Sequence, residues 1–133
     1  MKGILLVSHG KLAAGMKDTV ELFSGKVEQL EALELAPSQD INEFSQLLKD
    51  KITEIDSGTG VVVFCDLAFG TPSNLVGRLL GEEQFRGKIQ LITGMNLPMV
   101  LEYTQVRKSS DAFDEVIKIG KEGIIDFNEK LKK

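Results

Sequence analysis

The chain has 133 residues, 42% of them apolar and 6% aromatic, with a formal net charge of −4. That length suits one domain with an aliphatic core, and the slightly acidic, interspersed charge excludes the basic stripe of a nucleic-acid binder. One cysteine, Cys65, leaves no intramolecular disulfide, one histidine leaves no zinc-type cluster, and the first apolar run, Ile4 to Val7, is too short for a signal or membrane segment, so the expectation is a cytoplasmic protein with no metal.

Residues 3–8 form a continuous apolar run, the pattern of a strand buried on both faces. A helix over about 11–24 follows, with Leu12, Met16, Val20 and Phe23 on one stripe and Gly25 to end it. Residues 27–35 read as a strand whose Glu28, Glu31 and Glu34 suit a sheet edge. Asp40 and Glu43 have the spacing of a capping box, opening a helix whose apolar face is Ile41, Phe44, Leu48, Ile52 and Ile55; the run Ser57-Gly58-Thr59-Gly60 stops it. Val61 to Phe64 is a second fully buried strand. Thr71 is then expected as N-cap and Pro72 as the first residue of a helix carrying Leu75, Leu79 and Leu80. Lys88 to Thr93 is a strand, and Pro98 lies in the first turn of a helix running to about Arg107. Ser110 or Asp111 caps a last helix with Phe113, Val116 and Ile117 inward, and Ile124 to Phe127 reads as a short final strand.

No repeat, low-complexity tract or linker interrupts the chain; only short loops, around Ala36 to Gln39 and Arg107 to Ser110, join the elements. One domain, 1–133, is expected. Strands alternating with helices imply an α/β fold with a mostly parallel sheet. The specific expectation is a doubly wound, three-layer, flavodoxin-like sandwich with strand order 2-1-3-4 and a short C-terminal strand at the edge. In such sheets the ligand crevice lies at the carboxyl ends of the strands where the order reverses, here between the loops after strands 1 and 3.

That rule brings Ser8-His9-Gly10 to face Cys65-Asp66 and the residues up to Thr71. A neutral imidazole is a good nucleophile near pH 7, and an aspartate on one ring N–H fixes the tautomer, aims the other nitrogen outward and stabilises the cation formed when the ring is phosphorylated. An anionic phosphoryl group needs donors, which helix N-termini supply. Two are expected, one from Gly10-Lys11 onward and one at Thr71-Pro72-Ser73; because Pro72 has no N–H, the second offers Ser73, Asn74 or the Thr71 hydroxyl. Simpler readings compete. A lone histidine is more often a surface or satisfied core residue, Asp66 serves equally as a turn residue, and capping alone accounts for Gly70-Thr71-Pro72. Met95 to Met99 reads first as a helix start with apolar anchors and second as a partner surface.

Three blocks together, Gly3-Ile-Leu-Leu-Val-Ser-His9-Gly10, Cys65-Asp66-Leu-Ala-Phe-Gly70-Thr71-Pro72-Ser-Asn74 and Gly94-Met-Asn-Leu-Pro-Met99, resemble the enzyme IIA domains of the mannose family of the bacterial phosphoenolpyruvate-dependent sugar phosphotransferase system. The resemblance spans almost the whole chain. It implies a phosphoryl group accepted from phospho-HPr on His9, oriented by Asp66, and passed to an enzyme IIB partner. It implies no cofactor, since donor and acceptor are proteins, and contact with a membrane only through the transporter complex. It also implies an α/β homodimer whose last strand can pair across the dimer. Some members fuse the domain to IIB through a linker; this sequence carries none, so a separate subunit is expected. The Ala68-Phe69 loop departs from the glycine-rich version found in parts of the family. Phosphate contacts are expected from Gly10, Thr71, Ser73 and Asn74.

Three other readings stand beside it. A phosphotransfer subunit serving dihydroxyacetone kinase shares the chemistry, although Asn96-Leu97-Pro98-Met99 looks more like the sugar branch. A Cys65–His9 hydrolase needs a reactive thiol. A phosphorylation-sensing binding module, receiver-like, would use Asp66 itself, but the place where such domains carry metal-binding acids holds Ser8-His9.

Overall fold

A computed structural model of the chain describes residues 1–109 and 111–132. Strands β1 (Gly3–His9), β2 (Leu30–Leu35), β3 (Val61–Cys65) and β4 (Ile89–Ile92) form one parallel sheet in the order β2-β1-β3-β4. Helices α1 (Leu12–Ser24), α4 (Leu97–Val106) and α5 (Ala112–Glu122) cover one face, and α2 (Ile41–Ile55) and α3 (Thr71–Leu80) the other. This is the doubly wound three-layer sandwich expected, with the expected strand order. Among the described residues no helix is long and apolar enough to cross a membrane.

The two central strands explain the two cores. Successive side chains of a strand point to opposite faces. Ile4, Leu6, Val62 and Phe64 therefore enter the layer under α1, α4 and α5, while Leu5, Val7, Val61, Val63 and Cys65 enter the layer under α2 and α3. Each such residue, fully removed from water, contributes about 1.5–3 kcal/mol. Tyr103 of α4 meets Phe64 edge-on, with ring centroids 5.8 Å apart. β2 lies at the edge, as its glutamates suggested, and Glu31 pairs with Lys17 of α1 at 3.7 Å.

Local signals set most element ends. The Asp40 carboxylate accepts from the backbone N–H of Asn42 and Glu43, at 2.7 and 3.1 Å, and so caps α2. Of the apolar face read for α2, Phe44, Leu48, Ile52 and Ile55 are buried and Ile41 is half-exposed. Asn96 caps α4 by accepting from Met99 N–H, and Met95 and Met99 are both buried, so this stretch is a helix start with anchors rather than a partner surface. Ser110, one of two expected caps for α5, lies outside the described residues; Asp111 precedes α5 without a side-chain cap bond.

Four expectations need correction. The buried face of α1 is narrow and centred on Ala13, Met16 and Val20, so Leu12 and Phe23 fall on its border and are exposed. Thr71 is the first helical residue of α3 and Gly70 its N-cap, because Pro72 takes the second helical position as readily as the first. Leu80, expected to follow Leu75 and Leu79 inward, is exposed at the end of α3. Residues 124–127 make no strand: Ile124 to Asp126 are irregular and join neither edge of the sheet, and the chain turns into α6 (Phe127–Leu131), where the Asp126 carboxylate accepts from the Glu129 N–H as its cap. The Arg107 junction also holds more than a loop. Arg107 is buried and donates to the carbonyls of Glu28 and Lys2, tying the end of α4 to the entrances of β1 and β2.

Candidate functional site

β1 and β3 are neighbours, and at their carboxyl ends they carry His9 and Asp66. The Asp66 N–H still donates to the Val7 carbonyl at 3.3 Å, so Asp66 continues the ladder one residue beyond β3. Its side chain reaches across to His9. Asp66 Oδ2 accepts from the His9 backbone N–H at 2.9 Å and lies 2.9 Å from His9 Nδ1, while Oδ1 accepts from the Leu67 N–H at 2.9 Å. The sequence-predicted pair is thus brought together.

The electrostatics follow from these contacts. Burial works against ionisation of Asp66, but the His9 backbone and ring N–H and the Leu67 N–H outweigh it and hold the carboxyl below its usual range. An ionised carboxylate only accepts, so in the neutral ring the proton is on Nδ1 and the lone pair on Nε2. The His9 side chain is 45% exposed and that of Asp66 9%. The carboxylate is sheltered, and the ring is partly open to solvent.

Ser8 shapes the turn behind the histidine. It is fully buried; its Oγ accepts from Ala13 N–H at 2.8 Å and donates to the Gly10 carbonyl at 3.0 Å. One hydroxyl thereby caps the first turn of α1 and closes the His9-Gly10-Lys11 turn. Gly10 adopts φ +55°, the left-handed region where glycine is at ease. Its N–H, however, donates to the Leu35 carbonyl at 3.0 Å.

The second loop wraps the imidazole from the other side. A Cβ added at Gly70 would lie 2.7 Å from His9 Cε1 and 3.3 Å from Nε2, so the ring packs directly on the glycine backbone. Thr71 stands half-buried at the start of α3. Ser73 is buried and its hydroxyl donates to the Gly70 carbonyl at 3.1 Å. Asn74 N–H donates to the same carbonyl at 2.9 Å, and its side-chain amide donates to the Phe69 carbonyl at 3.4 Å. The Ser73 and Asn74 side chains therefore shape the loop. Ser8 and Gly70 were not singled out from the sequence. Ser8 reads only as a neighbour of the histidine in the crevice loop, and the spacing that explains Gly70 within a helix start gives no hint of the ring against it.

Cys65 is wholly buried, its side chain among the residues under α2 and α3. Burial, reinforced by the Asp66 charge, pushes its thiol up to about 12. It stays protonated and sequestered at neutral pH, which removes the Cys65–His9 hydrolase reading. Among the described residues no cluster of three or more His, Cys, Asp or Glu side chains is placed to hold a metal ion.

Residues 3–119 match the model of the EIIA-man family, described as PTS system fructose IIA component. The chain is 31% identical over 102 residues to the sorbose-specific EIIA component of Lacticaseibacillus casei, covering 74% of this chain and 69% of that protein. It is 24% identical over 125 residues to the mannose-specific EIIAB component of Escherichia coli K12, covering 91% of this chain but 38% of that longer protein. Among solved structures, a IIA protein associated with a fucose utilization operon in Streptococcus pneumoniae superposes with a TM-score of 0.89 at 29% identity, covering 98% of this chain and 96% of that one. The EIIA component of Streptococcus agalactiae superposes with a TM-score of 0.87 at 28% identity, over 97% of this chain and 99% of that one.

Proposed function

Because the chain belongs to the EIIA-man family of phosphotransferase-system IIA components, a family that transfers phosphoryl groups in sugar uptake, we propose that it accepts a phosphoryl group from phospho-HPr on Nε2 of His9 and hands it to an enzyme IIB partner in the cytoplasm. The observation that carries this reading is the double grip of Asp66 on His9, through Nδ1 and through the backbone N–H, at 2.9 Å each. It leaves Nε2 unprotonated and aimed away from the carboxylate.

The Nε2 lone pair attacks phosphorus as the P–N bond of the donor's phosphohistidine breaks. The donor ring, protonated on its other nitrogen, departs neutral with the electron pair of that bond. His9 then carries the phosphoryl group on Nε2 and a proton on Nδ1, a cationic ring whose charge Asp66 offsets. The Thr71 hydroxyl and the N–H groups of the first turn of α3 are the donors we assign to the phosphoryl oxygens. The same steps in reverse pass the group to IIB, with no cofactor.

Incubation with phosphoenolpyruvate, enzyme I and HPr should place on the protein a phosphate that is labile in acid and stable in base; a protein left unlabelled would refute the reading. Discharge of the labelled protein to a IIB protein, and not to a dihydroxyacetone kinase subunit, identifies the sugar branch. Asp66→Asn should slow labelling about tenfold. The amide keeps one acceptor but loses the charge that offsets the ring, and it turns an NH2 toward either His9 or Leu67. A wild-type rate in single-turnover labelling would deny Asp66 its role.

The same reading carries a homodimer. Ile124, Ile125, Phe127 and Leu131 are all exposed, and beside them an apolar recess of about 400 Å³ opens between β4 and α5, lined by Leu91, Phe113 and Ile117. So much uncovered apolar surface in one segment supports a self-association face. Sedimentation should give twice the chain mass for the full protein, and a chain ending at Gly123 should be monomeric; a monomeric full chain would count against the dimer and leave the transfer reading in place.

A further inference from the structure

Phe69 is in an unusual state. It has φ +63°, the left-handed region that bulky residues avoid, and it is 91% exposed. The other non-glycine residue with positive φ among those described, Gln29 at 54°, has a structural return: its side chain donates to the Ile55 carbonyl at 2.7 Å and ties the entrance of β2 to the end of α2. The Phe69 ring makes no comparable contact. An unfavourable backbone and an unfavourable exposure coincide in one residue, beside the reacting histidine, and such outliers point to function.

Its position says what covers it. Gly70 packs on the imidazole, so Phe69 is one residue from the ring. A protein that brings phosphorus to His9 Nε2 comes close to this exposed residue. Leu67, also exposed, extends the apolar rim on the histidine side. On the other side runs an open groove of about 600 Å³ lined by Phe69, Ser73, Asn74, Arg78, Leu91 and Thr93. Arg78 is the charged residue among the described ones lining it, and a positive charge there complements an anionic, phosphorylated partner.

We propose that Phe69 is a docking anchor for the phosphoryl-donor protein: a preset aromatic wedge that enters an apolar recess beside the donor's phosphorylated side chain, with the adjoining groove receiving the donor's flank. The left-handed backbone turns the ring outward in advance, so no loop rearrangement is needed on binding. This rests on the reading of His9 as the phosphoryl acceptor, and it separates contact with the protein donor from the chemistry at Nε2.

Phe69→Gly is the discriminating variant, because glycine keeps the positive φ without strain and removes only the ring. Two donors are compared: phospho-HPr, and phosphoramidate, a small molecule whose P–N bond breaks to release ammonia as the bond to Nε2 forms. The expected result is a KM for phospho-HPr raised about tenfold with kcat little changed, labelling by phosphoramidate at the wild-type rate, and an unfolding midpoint equal to or above that of the wild type. Phe69→Leu should recover part of the KM. An unchanged KM for phospho-HPr overturns the proposal. Equal loss with both donors also overturns it, since the ring would then be supporting His9 rather than meeting a partner. If the wild type is labelled by neither donor, the fault lies with the assignment of His9, on which the proposal depends.

Discussion

His9→Ala takes up no phosphate from phospho-HPr under conditions that label the wild type to completion. His9 is the single imidazole in the chain, so no other side chain replaces it as a nitrogen nucleophile. The substitution should leave the fold intact. The ring is nearly half-exposed and lies outside both core clusters, and the His9 backbone N–H that holds Asp66 remains. Loss of one hydrogen bond at this partly exposed position costs about 1 kcal/mol, a shift of a few degrees in unfolding midpoint. The loss of labelling therefore reads as chemistry and not as unfolding. Label that persisted in His9→Ala and was released by hydroxylamine would instead mark an acyl phosphate on Asp66. That outcome would favour a phosphorylation-sensing module and overturn the relay.

Gly70→Ala is the second large effect, and it comes from a single methyl group. An added Cβ would lie 2.7 Å from His9 Cε1, well inside contact distance, and the imidazole is the movable party because the Gly70 carbonyl is held by both Ser73 and Asn74. The ring must swing away, which strains its bond to Asp66 and misdirects Nε2. Displacement of a reacting atom by about 1 Å costs on the order of a hundredfold in rate, and that is the loss expected in single-turnover labelling. Gly70 sits at an ordinary extended φ as an N-cap, where alanine is tolerated by the backbone, so the unfolding midpoint should move little. A variant that labels at the wild-type rate would show that the ring can be displaced without consequence.

The sequence reading succeeded where a local pattern had a single physical cause. The apolar runs at residues 3–8 and 61–64 can be buried on both sides only in the middle of a parallel sheet. With those strands adjacent, the crevice rule puts His9 opposite Asp66. It fell short where the cause was three-dimensional. Ser8 reads as the last residue of a strand, and only the path of α1 makes its hydroxyl the cap. Spacing likewise cannot reveal that the Gly10 N–H donates to the Leu35 carbonyl and the Ser73 hydroxyl to the Gly70 carbonyl. Ile124 to Phe127 has the composition of a strand, but Asp126 caps a helix from Phe127 instead. The exposed, left-handed Phe69 was visible in the sequence only as a departure from a glycine-rich loop.

The Asp66 grip has a consequence for how the loaded and empty forms are told apart. The carboxylate holds His9 by its backbone N–H and by Nδ1, both on the near side of the ring, while the proposed phosphoryl site is Nε2 on the far side. Neither bond has to change when the group arrives or leaves. Under the proposed transfer the two forms keep this grip and differ by a phosphoryl dianion on the outer side and the ring cation that Asp66 offsets, so a partner would distinguish them by local charge, a discrimination that weakens as ionic strength rises.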